Sequence, residues 1–71
     1  MKTKDEAYDL IRIHDGNSAG YFEQKADDYA LVGEINLATV FYEKAANVSL
    51  GHNRAARCEF KANLLRLKNV N

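Results

Sequence analysis

A chain without a single proline, broken by Gly16, Gly33 and Gly51, falls into stretches of helical length before any residue preference is consulted. Proline inside a helix removes a hydrogen bond and clashes with the preceding turn, so its absence leaves glycine and short polar runs as the breaks. No stretch alternates apolar and polar residues over a useful length, while Ala, Leu, Glu and Lys fill the segments. The expectation is an all-α fold, a small four-helix bundle with antiparallel helix pairs. One domain spans 1–71, with helices over about 3–14, 18–32, 34–48 and 53–68.

The apolar spacing supports each segment. Ala7, Leu10, Ile11 and His14 form a stripe at i, i+3, i+4, i+7, and Asp5 and Glu6 suit the first turn of the first helix. Asp15-Gly16-Asn17-Ser18 has turn chemistry, with Ser18 or Asn17 able to cap the second helix. Phe22, Ala26 and Tyr29 share one side of that helix. Ile35, Ala38, Phe41, Tyr42, Ala45 and Val48 give the third a wide apolar face. The break at Gly33 is so short that the second and third helices are expected to form an antiparallel hairpin. Ser49-Leu50-Gly51-His52-Asn53 makes the next turn.

At 71 residues there is room for one small core, and chains of this size often draw extra stability from disulfides, metals or association. Cys58 is the one cysteine, which excludes an internal disulfide and a cysteine-rich metal site. No leader-like apolar run follows Met1 and no apolar stretch approaches the roughly 20 residues of a membrane span, so a cytoplasmic location without membrane contact is expected. The net charge is zero but its distribution is not even. Residues 1–43 carry four basic and nine acidic side chains, a net of −5, whereas 44–71 carry six basic ones and Glu59, a net of +5. Such a dipolar chain could pair head to tail with a copy of itself, or offer its basic end to an acidic partner.

Helices two and three resemble one tetratricopeptide repeat, a helix-turn-helix unit of about 34 residues. Phe22 stands where that family has a large aromatic, Ala26 where it has a small residue and Tyr29 where it has a tyrosine. Gly33 opens the turn, and Ala38-x3-Tyr42-x2-Ala45 repeats the small, aromatic, small spacing. Lys25 in place of an apolar residue and the lack of proline after the second helix depart from the pattern. The fourth helix resembles the start of a second unit. At a separation of 36, Ala19, Glu23, Lys25, Ala26 and Leu31 match Ala55, Glu59, Lys61, Ala62 and Leu67, with Cys58 in place of Phe22 and Leu65 in place of Tyr29. The resemblance covers about 19–69 and implies a protein-binding role through close packing of alanine-notched helices.

The fourth helix is the most informative segment. Ala55, Cys58, Ala62 and Leu65 fall on one face, and Ala56, Phe60, Leu64 and Leu67 on a second. The first face is expected to pack on the hairpin. The second lacks an obvious partner, and we expect a second copy to cover it in a two-fold helical interface, the alternative being that the first helix folds back over it. Arg54, Arg57, Lys61 and Lys68 line up as a basic stripe.

Chemistry is hard to place on this chain. His14, His52 and Cys58 match no compact zinc spacing, Asp27 and Asp28 point about 100° apart and form no paired-carboxylate site, and no glycine-rich phosphate loop is present. No catalytic, metal or cofactor residues are expected. The expected function is a noncatalytic protein–protein interaction module or small regulatory adaptor, a homodimer with a further, unidentified protein partner. The alternative is a small phage or bacterial regulator that touches nucleic acid phosphates through the basic stripe.

Overall fold

The computed structural model describes residues 2–12 and 18–68. Among these the chain is all α: α1 (Lys4–Arg12), α2 (Ala19–Leu31), α3 (Ile35–Val48) and α4 (His52–Lys68). The expected His14 end of the first stripe and the turn residues Asp15, Gly16 and Asn17 lie outside the described residues.

Local chemistry sets the helix ends. The Thr3 amide donates to the Glu6 carboxylate at 3.0 Å while the Glu6 amide donates to the Thr3 hydroxyl at 3.2 Å, a reciprocal capping box that satisfies two free donors. Ser18 caps α2 by accepting from the Tyr21 amide at 3.4 Å, as its position in the turn suggested. α2 closes with Gly33 at φ 82°, where the Glu34 amide reaches back five residues to the Tyr29 carbonyl at 2.9 Å. That bond satisfies a carbonyl left over at the helix end and needs a residue that enters the left-handed region without penalty. At the next turn the Ser49 hydroxyl accepts from the Gly51 amide and donates to the Gly51 carbonyl.

α3 is the centre of the molecule. It packs against α2, α4 and α1, and it buries Leu37, Ala38, Thr39, Val40, Phe41, Tyr42 and Ala45. A helix apolar on nearly every side has to be enclosed on nearly every side. The hydroxyl of buried Thr39 is satisfied by donating to the Ile35 carbonyl at 2.8 Å. Phe41 is the hub, with the rings of Tyr29 and Phe22 at 5.2 and 6.0 Å. Ala26, Ala38 and Ala45 are fully buried, and Cys58 and Ala62 bring α4 onto the other flank of α3. Small residues at these crossings let the helix axes come close.

The helices also repeat their relations at a fixed step. Turns of three residues make α2 and α3, and then α3 and α4, antiparallel neighbours. Glu23 pairs with Arg57 and Asp27 with Lys61, each 34 residues on, so α4 runs parallel to α2. Asn36 donates to the Lys2 carbonyl 34 residues away and Tyr8 to Glu43, 35 away, so α3 runs parallel to α1. α1 therefore lies on α3, through Ala7, Leu10 and Ile11, and shares no substantial packing with the described part of α4. The alternative in which the first helix folds back over α4 is not the arrangement adopted.

Candidate interaction surface

The two faces of α4 meet different surroundings. Cys58, Ala62 and Leu65 are buried against α3, and Ala55 is partly covered. On the opposite side Ala56, Phe60, Leu64 and Leu67 form an apolar row, with Phe60 64% exposed, Leu64 44% and Leu67 72%. No described residue covers that row. Leu31, Val32 and Leu50 are also exposed, but each sits at a turn or helix end, where single apolar side chains on a surface are ordinary.

The basic stripe has a different environment from that of a free cationic ridge. Arg57 makes a two-pronged pair with Glu23, at 2.7 and 2.9 Å, and Lys61 reaches Glu23 at 3.3 Å and Asp27 at 3.2 Å. Arg54 adds a third, longer pair with Glu23 at 3.7 Å. The Glu23 side chain is only 12% exposed, so water screens it less than it would a surface carboxylate. The hydrogen bond from Arg57, opposed by partial burial and joined by Lys61, holds the Glu23 carboxyl down to about 2. Burial alone would lower the Lys61 pKa, but hydrogen bonds to Asp27 and Glu23 outweigh it and raise the value. Tyr42 on α3 donates its hydroxyl to Asp27, and the Lys61 ammonium lies 5.4 Å from the Tyr42 ring centre. Further along α4, Arg66 pairs with Glu43 of α3. Of the four stripe residues, only Lys68 makes no ion pair among the described residues.

The charge segregation seen along the chain is therefore largely satisfied inside it, where the acidic side of α2 meets the basic side of α4. A signal for this was present in the sequence. Glu23 and Asp27 stand four apart on one face of α2, Arg57 and Lys61 stand four apart on one face of α4, and the two pairs are separated by the same 34 residues.

Nothing at Cys58 resembles an activated nucleophile. Burial, and next the charge of Glu23, push its thiol up, whereas reactive cysteines have lowered values. Among the described residues no group of three His, Cys, Asp or Glu side chains could hold a metal ion, and no helix is long and apolar enough to cross a membrane. An open cleft of about 590 Å³ between Ser18, Ser49, Leu50 and Asn53 draws its charge from Arg54 and Arg57, the arginines already tied to Glu23. No family model matches the chain, and no curated protein or solved structure matches it either.

Proposed function

We propose that this chain is a noncatalytic protein-interaction module that binds through the outer face of α4 and associates with a second copy of itself. The observation that carries the reading is the exposed row of Ala56, Phe60, Leu64 and Leu67 along a helix whose other side is fully engaged with α3. A surface of this kind on a small domain is characteristic of an interface.

The parallel steps from α1 to α3 and from α2 to α4 support the tetratricopeptide-like reading of the hairpins. In stacked-helix architectures each unit buries its apolar face on its neighbour, and the last unit normally turns a polar face outward. Among the described residues the outer side of α4 instead carries an uncovered apolar row. In this proposal the bundle is a scaffold acting in the cytoplasm, and α4 is its docking element. Among the described residues the nucleic-acid reading retains only Lys68 as an uncommitted cation of the stripe, and no observation favours it.

Sedimentation of the wild-type chain and of Phe60→Lys, over concentrations of about 10 to 500 micromolar, tests the proposal. The wild type is expected to gain mass with concentration while the variant stays monomeric with unchanged helical circular dichroism. A wild type that remains a monomer at the highest concentration overturns self-association through this face.

A further inference from the structure

The self-association proposed above leaves open which part of the second copy meets α4, and in which direction it runs. The described surface of α1, at the other end of the stack, is polar. Asp5, Glu6, Asp9 and Arg12 are exposed there, and its one large exposed apolar side chain, Tyr8, is engaged with Glu43. A head-to-tail contact would set apolar α4 against charged α1 and leave Phe60 without an apolar neighbour. Among the described residues the apolar surface lies on α4 and not on α1, which favours a closed pair in which the same face meets itself.

Charge does not oppose that pairing. The cations that would drive two α4 helices apart are largely offset within each copy, Arg54, Arg57 and Lys61 sharing Glu23 and Asp27 with one positive charge left over, and Arg66 pairing with Glu43. Glu59 and Lys68 lie on opposite flanks of the apolar row and carry opposite charges. The approach of a second α4 is thus close to electrically neutral.

Ala56, Phe60 and Leu64 are spaced four apart and form one i±4 ridge, the kind that packs at a crossing of about 50°. Phe60 is the middle residue of the 17 in α4. From these placements we propose that two copies cross their α4 helices antiparallel at Phe60, each Leu64 seated beside Ala56 of the second copy. The antiparallel sense sets a large side chain beside a small one at both flanks of the Phe60 pair. The parallel sense would set Leu64 against Leu64 and leave a gap at the two alanines. It would also bring the two Lys68 ammonium groups together and align the helix dipoles, both unfavourable.

The exposed fractions of Phe60, Leu64 and Leu67 amount to roughly 350 Å² of apolar surface per copy, under half of the about 800 Å² per partner of a standard stable interface. The pair is accordingly a weak one, and its test belongs at high protein concentration.

An equal mixture of Ala56→Cys and Leu64→Cys, oxidised at about 200 micromolar, reads the direction directly. Cys58 is fully buried and stays out of the exchange. The expected product is predominantly the mixed disulfide between position 56 of one copy and position 64 of the other, well above the statistical half. Homodisulfides at or above that half overturn the antiparallel register while leaving self-association through α4 standing. In parallel, Ala56→Leu alone should weaken wild-type association at least tenfold, and the swapped double variant Ala56→Leu/Leu64→Ala should recover to within about threefold. Failure of the double variant to recover also overturns the register. A wild type that never associates removes the reading on which this inference rests, a separate outcome visible before any variant is made.

Discussion

α3 and α4 are both apolar on more than one side, yet they hold opposite places in the molecule. α3 is wrapped by three helices, whereas α4 packs on α3 and is tied to α2 through ion pairs at its flank. Residues of the same kind therefore do different work. Phe41 is sealed among Phe22 and Tyr29, whereas Phe60 points away from its own core. A helix with two apolar sides does not announce its burial; the number of helices packed around it decides whether the second side is core or stays exposed.

The sharpest way to break this contrast is to truncate the matching aromatic on each helix. Phe41→Ala removes the hub ring and leaves a cavity, and is expected to cost about 3–5 kcal/mol, enough to unfold a domain this small in a thermal melt followed by circular dichroism. Phe60→Lys, on the exposed side, is expected to change the same melt by no more than about 0.5 kcal/mol when measured at a concentration where the chain is monomeric. Comparable losses at the two sites would mean that α4's outer face is part of the core.

Between those extremes lies the clamp that joins α4 to α2. Glu23→Gln keeps the shape but leaves Arg54, Arg57 and Lys61 facing a neutral group, an expected loss of about 1–3 kcal/mol. Because the folded-state carboxyl is held at about 2 against an ordinary 4.5, its contribution is fully present above pH 4.5 and disappears as the pH falls toward 2. The difference in melting temperature between wild type and variant should then be widest near neutrality and close in acid. A constant difference across that range would show that the carboxylate charge is not what binds the helices. A smaller effect is expected at the hairpin. A side chain at Gly33 meets open space, so Gly33→Ala tests the left-handed backbone alone and should cost about 1–2 kcal/mol in the same melt.

Much of this arrangement is legible in the residues. The missing proline, Gly33, Gly51 and the capping serine fix α2, α3 and α4 to within a residue or so, and the two-sided pattern of α4 correctly separates Cys58, Ala62 and Leu65 from Phe60, Leu64 and Leu67. The basic stripe is the instructive exception. Along α4 alone it looks like a cationic ridge free to meet phosphates, because its partners Glu23 and Asp27 lie about 34 residues earlier on another helix. The shared four-residue spacing of the two pairs hints at the match, but it takes the parallel stacking of α2 and α4 to bring Arg54, Arg57 and Lys61 onto these carboxylates. The place of α1 was equally hidden. Ala7, Leu10 and Ile11 show which side of that helix is buried, but not that α3 is what it lies on, since a stripe specifies a face and not the neighbour.

The triple engagement of Glu23 reaches further than the bond energies suggest. A helix resting on a neighbour by small residues such as Cys58 and Ala62 could roll about its long axis, and a roll of one residue would swing its outward row through about 100°. By gripping Arg54, Arg57 and Lys61 over two successive turns, one carboxylate sets the angular bearing of α4. The direction in which Phe60 looks is thus steadied from a different helix, by a residue that grips the flank of the rod.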